Sequence, residues 1–447
     1  MSQNNPIQDR VDQMLLKWTL AINTPNVKIV RILAENDDKQ MLEAYYQYML
    51  AIDTNQQDFV LILSAPFSTQ KEYAVTLLQE LEEEINNWNN AKIPESIKFQ
   101  TITWKADYSL ENVDNPAHLL IENLNSFANY LQPEKKIKVS IVLNINEISK
   151  KDAINWFTNV LNTNMEPHLI FAINDTTQYP IYNDLAKAYP KAVYTIVPEF
   201  NMDAAVEQMS ALGDPTATET PYRANLAKLI NGVKARDQKK VQYAAKACLD
   251  IAVKALKKDA NWLMQIVTVY TILYNDQLGY KNYDDAIYFA DKAVETAVKS
   301  KGLIKPEMAY RLVGQTHLGR GALYQLKKQK NNALNDYEEA AKAYAIAKDY
   351  LMQCESLRLA GYMANKMSLK NEATQYHLQA YNLKEALGTD LVKSSTYPLI
   401  VLQLLKDYNR NSFLSDAQMD TDMKPIFGEQ WKEHIEKSGK LTKKIKQ

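Results

Sequence analysis

The sequence predicts two parts of different class: an α/β domain on a largely parallel sheet over residues 1–212, then an all-α solenoid of helix pairs. Three observations carry this reading. Short apolar runs alternate with amphipathic helical runs through the first half, the βαβ pattern of a largely parallel sheet. No glycine occurs before Gly213, so that half lacks the residue from which phosphate-cradling loops are made. Beyond residue 223, small residues recur at fixed offsets in a helical background, the mark of a repeat array.

Composition sets the class. Hydrophobic residues make up 46% and charged residues 23% of the 447-residue chain, which suits a folded soluble protein and excludes a disordered one. No apolar run approaches the ~18–20 residues that span a bilayer. The opening MSQNNPIQDRVDQM lacks a basic region followed by an apolar one, so no signal peptide is expected. Cys248 and Cys354 are far apart and unpatterned, which excludes a disulfide framework and makes the cytoplasm the expected location.

The net charge of −1 conceals an asymmetry. Residues 1–212 hold 16 Lys/Arg and 27 Asp/Glu, whereas the rest holds 36 and 26. The basic residues are spread over helices with few blocks, which favours attraction between the halves or between copies. Binding of an acidic protein face, or of nucleic acid, is the alternative.

In the first half, the expected strands are VKIVRIL (Val27 to Leu33), FVLILS (Phe59 to Ser64), IKFQTITW (Ile97 to Trp104), IKVSIVLN (Ile137 to Asn144), HLIFAIN (His168 to Asn174) and VYTIV (Val193 to Val197). Their near-continuous apolar character suits a sheet covered on both faces. Between them, Ala74, Leu77, Leu78, Leu81 and Ile85 form one helical stripe, and Leu120, Leu124, Phe127, Ala128 and Leu131 another. Ser149 and Asp152 read as an acidic capping box before Ala153, Phe157, Val160 and Leu161.

From Phe59 onward, this order resembles the nucleotide-binding core of AAA-type P-loop ATPases and, within them, the STAND class of signalling ATPases. FVLILSAPFSTQKEYAVTLL stands where the first strand, phosphate loop and first helix would lie. IVLNINE stands where a strand ending in an acidic pair would lie, and LIFAIND resembles the next strand. The working loop reads G-x-x-x-x-G-K-[ST]. Here Ser64 and Thr69 take the glycine positions, Gln70 the lysine and Lys71 the hydroxyl; a shift of one puts Lys71 at the lysine but Glu72 at the hydroxyl. Pro66 removes one loop donor, and Asn144 and Asn146 leave Glu147 as a lone carboxylate. The resemblance therefore implies a P-loop-like domain without catalytic residues. Its vestigial nucleotide site would comprise Ser68, Thr69, Lys71 and Glu147; the plain alternative is a turn in which Ser68 caps the helix and Lys71 is solvated. No cofactor or metal is expected, because the five histidines are scattered without ligand spacing.

Gly213 to Arg223, GDPTATETPYR, reads as a linker. After it, Gly321, Tyr324, Ala333, Tyr337 and Ala340, then Gly361, Ala364, Ala373, His377 and Ala380, fit the spacing typical of tetratricopeptide repeats. Tyr274, Gln277, Ala286, Ala290 and Ala293 match with a bulky first residue, and Gly232, Ala235, Ala244, Cys248 and Ile251 make a weaker copy. The solenoid is expected over residues 224–390, with capping helices, including YPLIVLQLLKDY, and a basic tail over 391–447. In that family the first helices of the pairs line a concave face that binds peptides. Carried onto this chain, the groove candidates are Arg236, Asn275, Gln315, Gln325, Arg358, Tyr362, Asn365 and Lys366.

The expected function is a non-catalytic adaptor that holds a protein partner, with the first domain as a docking or oligomerisation module. The AAA resemblance implies a homo-oligomer or a larger complex, and bacterial contractile secretion systems use proteins of this build. The alternatives are a nucleotide-binding switch and, last, a nucleic-acid binder, for which no recognised module is present.

Overall fold

Asn5 opens the first helix, α1 (Pro6–Asn23), by accepting from the Ile7 N–H, and Pro6 takes the first turn, where no donor is missed. The computed structural model describes residues 5–50, 58–91, 101–109, 114–131, 133–134, 136–145 and 148–444. The chain divides into two units, Met1–Met209 and Ser210–Gln447.

In the first unit, α1 is followed by β1 (Ile29–Ala34), α2 (Lys39–Leu50), β2 (Phe59–Leu63), α3 (Gln70–Asn89), α4 (His118–Leu131), β3 (Val139–Leu143), α5 (Lys150–Leu161), β4 (Leu169–Thr176), α6 (Asn183–Ala188), β5 (Val193–Ile196) and α7 (Met202–Ala211). The five strands form one parallel sheet in the order β2-β3-β4-β1-β5. Successive side chains of a strand point to opposite faces, so each apolar strand feeds two cores. Leu169, Phe171 and Ile173 of β4 pack with α3, α4, α5 and α6; Ile170 and Ala172 pack with α1 and α2. Ser149 caps α5 through the Asp152 N–H and donates its own hydroxyl to the Asp152 carboxylate.

Among the described residues, one expected strand is not part of the sheet. Of Ile97 to Trp104, Ile97–Gln100 lie outside the described residues, and Thr101–Trp104 carry no strand. Their polar groups find side chains instead of a ladder: the Asn89 carboxamide clasps both the N–H and C=O of Ile102, and Tyr130 Oη accepts from the Thr103 N–H. Trp104 is anchored on Phe127, with centroids 5.0 Å apart. Apolar alternation did not distinguish a strand from an extended segment lying over helices.

The second unit is all helical: α8 (Glu219–Lys234), α9 (Gln238–Leu256), α10 (Trp262–Gly279), α11 (Tyr283–Lys299), α12 (Pro306–Leu326), α13 (Lys330–Ile346), α14 (Tyr350–Lys366), α15 (Lys370–Tyr381), α16 (Lys384–Ser394), α17 (Tyr397–Leu405), α18 (Asp416–Phe427) and α19 (Trp431–Lys444). Helix α8 starts at Glu219, inside the Gly213–Arg223 stretch. The pairs α8/α9, α10/α11, α12/α13 and α14/α15 stack as tetratricopeptide-like repeats. Within each pair the turn is the same device. Its middle residue, Arg236, Lys281, Lys328 or Ser368, is left-handed, and the next N–H reaches back five residues, as from Asn282 to the Gln277 carbonyl.

The recurring small residues sit where helices of a pair touch. A Cβ built on Gly321 would lie 2.8 Å from the Tyr337 ring, and one on Gly361 only 2.4 Å from His377 Nε2. The first positions of the repeat pattern, Gly232, Tyr274, Gly321 and Gly361, lie 42, 47 and 40 residues apart because the helices are long: α12 alone has 21 residues. Beyond α15, Tyr397, Val401, Met419, Met423, Trp431 and Ile435 close the stack in one core with Cys354, Leu357, Ala380 and Tyr381 of α14 and α15. Buried Arg410 ties the short 3-10 turn Tyr408–Ser412 in place through the Leu404 and Leu414 carbonyls and Asp416.

Candidate functional site

Two places in the chain have the geometry of a site, one in each unit. The sheet order fixes the first. The chain leaves β1 by α2 on one face, then returns β2→β3→β4 with its helices on the other face, and passes over β1 to reach β5. The carboxyl ends of β1 and β4 are therefore the topological switch point, where open α/β sheets bind ligands. A crevice of about 410 Å³ lies there, lined by Glu35, Lys39, Glu43, Tyr46, Asn144, Asn174 and Thr176 among others.

This crevice is not a phosphate cradle. Only Glu35 separates β1 from the 3-10 turn Asn36–Asp38, so no loop exists to wrap an anion. Glu35 and Glu43 put carboxylates on its lining, where phosphate oxygens would approach. Tyr46 donates to the Asn174 carboxamide across the opening. Deeper, Arg31 and Asp175 form an ion pair at 2.7 Å with both side chains nearly inaccessible to water.

The sequence pointed instead to the turn after β2, which is an edge strand of the sheet. There the backbone N–H groups of Ser64 and Ala65 donate to the carboxylate of Glu80, at 2.7–2.9 Å, so an internal anion already holds the donors. Thr69 rather than Ser68 caps α3, accepting from the Glu72 N–H. Ser68 and Thr69 both donate to the Glu72 side chain. Lys71 is exposed on the first turn of α3. Glu147 lies outside the described residues.

The second site lies in the helix stack. Arg358, Tyr362, Asn365 and Lys366 follow the helical stripe of α14, and Leu399 and Gln403 of α17 follow the same spacing, with Lys406 at its C-cap. The two stripes line a groove of about 730 Å³, floored by His377 of α15 and rimmed by Lys370, Asp407, Tyr408 and Asn409. Arg358 is held rigidly: its Nε and Nη2 grip the Glu355 carboxylate at 2.7 and 2.6 Å, and Thr396 donates to the same carboxylate. Lys366 stands over the Tyr362 ring, 5.5 Å from its centroid. Asp407 accepts from Thr374 and from the Asn409 N–H. Cations thus outnumber carboxylates along the groove.

Four of the eight groove candidates meet here, and the other four lie elsewhere. Arg236 sits in the α8–α9 turn, packed over Tyr280. Asn275 bonds the Thr271 carbonyl of its own helix, Gln315 is exposed on α12, and Gln325 accepts from Tyr337 Oη between paired helices. Lys370, Gln403, Lys406 and Tyr408 were missed. The spacing of Gln403 and Lys406 on YPLIVLQLLKDY carried the signal, had that helix been read as the groove's opposite wall rather than as a cap.

Burial pushes the His377 imidazole down to about 4; Arg358 adds to the effect and Asp407 opposes it. The ring is therefore neutral at pH 7, and its Nε2 has no hydrogen-bond partner. The unfolded chain protonates His377 near pH 6.5, so its contribution to stability is whole above about 6.5 and drains away as the pH falls toward 4. His377→Gln is expected to make the loss of Tm between about pH 7.5 and pH 5 smaller than in the parent, read by circular dichroism melts. Burial also pushes the Cys248 and Cys354 thiols up to about 12, so both behave as core side chains and not as nucleophiles. Among the described residues, no group of three or more His, Cys, Asp or Glu could hold a metal ion, and no helix is long and apolar enough to cross a membrane.

No family model matches the chain, and no curated protein matches it. Solved structures with likeness to it include the apo form of RapI, at 16% identity over 50% of this chain and 72% of that one, with a TM-score of 0.34. Aspartyl phosphate phosphatase F from Bacillus subtilis shares 10% identity over 94% of this chain and 82% of its own, with a TM-score of 0.32. A signal transduction ATPase with numerous domains and a tetratricopeptide repeat sensor, from Pyrococcus horikoshii, shares 10% over 90% and 89%, with a TM-score of 0.20.

Proposed function

We propose that the chain is a non-catalytic adaptor whose helix stack binds a protein partner in the α14–α17 groove. The observation that carries this reading is the convergence of Arg358, Tyr362, Asn365 and Lys366 on one concave wall opposite α17. A wide groove with aromatic, amide and cationic side chains and no nucleophile suits recognition rather than turnover. The parallel-sheet unit is P-loop-like in its strand-and-helix order and serves as a docking or oligomerisation module. Two features support its lack of nucleotide chemistry: Glu80 occupies the loop donors after β2, and carboxylates stand after β1. Its net negative charge, against the positive charge of the stack, favours assembly with other copies or acidic and basic partners. A place in a larger bacterial assembly such as a contractile secretion system fits this build by analogy alone.

The test places a photo-crosslinking amino acid at Tyr362 or, as control, at exposed Tyr243 of α9. A discrete crosslinked protein from Tyr362 and none from Tyr243 supports the adaptor; equal or absent crosslinking from both sites refutes it. A nucleotide switch is the competing reading. Millimolar ATP or GTP with Mg²⁺ is expected to leave Tm unchanged, in the parent and in Lys71→Ala alike. A rise in the parent that disappears in Lys71→Ala would establish the switch.

A further inference from the structure

We infer that the α14–α17 groove takes an acidic peptide segment of the partner, read through side-chain carboxylates; this rests on the adaptor reading and specifies its ligand. Four cations, Arg358, Lys366, Lys370 and Lys406, line one groove of about 730 Å³ with Asp407 as the single lining carboxylate. Asp407 keeps its charge while it accepts from the Thr374 hydroxyl and the Asn409 N–H, but against three lysines it leaves the groove cationic. Glu355 is likewise committed to Arg358 and Thr396.

The cations differ in kind. Arg358 is half-buried and fixed, a preorganised fork with its plane set by Glu355. Lys366, Lys370 and Lys406 are exposed and reach from three separate elements, so together they can follow an irregular line of negative charges. Long-range attraction of this kind raises the association rate and weakens with salt. Asn365, Gln403 and Asn409 supply carboxamides, each able to donate and accept, which matches the N–H and C=O groups of an extended backbone. A single-stranded nucleic acid is the other polyanion to consider, with Tyr362 and Tyr408 as stacking surfaces. A phosphodiester offers no backbone N–H to the carboxamides. The groove chemistry therefore favours peptide.

The probe is a fluorescein-labelled, C-terminally amidated polyglutamate of about ten residues, followed by fluorescence anisotropy with the full chain at low salt. A labelled polylysine and an oligothymidylate of equal length are run beside it. Saturable binding of polyglutamate is expected, weakened about tenfold or more in the triple variant Lys366→Ala, Lys370→Ala, Lys406→Ala. A control triple variant on α9, Lys246→Ala, Lys254→Ala, Lys257→Ala, is expected to bind within about twofold of the parent. Absence of saturable binding, or equal loss in both triple variants, overturns the inference. Tighter binding of oligothymidylate, lost in the groove variant, also overturns it and assigns the groove to nucleic acid. If polyglutamate fails while Tyr362 still crosslinks a partner, the acidic ligand is wrong and the adaptor stands. If neither succeeds, the adaptor reading falls with it.

Discussion

Asp175→Ala is expected to destabilise the parallel-sheet unit by about 3–5 kcal/mol, because it strands a charged guanidinium in a dry interior. Arg31 stands on the inner strand β1 and meets Asp175 at the end of neighbouring β4, with Nε and Nη2 at 2.8 and 2.7 Å from one carboxylate oxygen. Both side chains are at least 96% removed from water, so solvent does not screen the loss. Asn183 of α6 takes one further guanidinium hydrogen at 2.6 Å, but an amide does not neutralise the charge. Asp175 has a second task. Its oxygens accept from the N–H groups of Ile181 and Tyr182, which pins the segment between β4 and α6.

The double change Arg31→Met, Asp175→Leu separates the two tasks. It removes both charges and so avoids the stranded guanidinium, yet leaves the two loop N–H groups without their acceptor. An intermediate loss of about 1–3 kcal/mol is expected, smaller than for Asp175→Ala alone. Hydrogen exchange of the β1 and β4 amides reads the effect within this unit, where a global melt of two units would blend transitions. A loss below about 1 kcal/mol for Asp175→Ala would show that the pair is hydrated in solution.

The same pair shows why part of the first unit was hidden in its sequence. Periodicity located the five strands of the described sheet, since apolar patterning reports how a segment packs. Periodicity says nothing about which strands are neighbours. The order β2-β3-β4-β1-β5 brings Arg31 and Asp175 together across a sequence separation that no local pattern spans. It also puts the topological switch point at the ends of β1 and β4 and not at the turn after Phe59–Leu63. The one local clue was a charged residue inside VKIVRIL, because an arginine in a strand buried on both faces needs an anion nearby. Glu80 was hidden for a related reason: its link to Ser64 and Ala65 depends on how α3 folds back along β2. In the helix stack, by contrast, fixed offsets encode the contacts themselves, since neighbouring repeats touch in register. The face of α14 that carries Arg358 to Lys366 was therefore legible, while its neighbour α17, which follows no repeat spacing, was not.

Among the described glycines of that register, Gly361 has the least room for a Cβ. Gly361→Ala would place a methyl group 2.4 Å from His377 Nε2 and 2.7 Å from its Cδ2. His377 has little room to yield, since it is 2% exposed and lies between α14 and the elements that follow. Overpacking of this kind costs about 1–3 kcal/mol, and the helix preference of alanine over glycine returns about 1 kcal/mol at most. A net loss of about 1–2 kcal/mol is therefore expected, felt as separation of α14 from α15. His377→Ala alone also destabilises, by emptying the space that the ring fills. Combined, the two should compensate: the alanine methyl enters part of the vacated volume, so the double variant is more stable than the two single losses added together. The coupling is expected to be about 1 kcal/mol or more in favour of the pair, measured by urea unfolding of the four proteins. Simple additivity would mean that the methyl group is accommodated elsewhere, and that the glycine serves helix approach in general and not this ring.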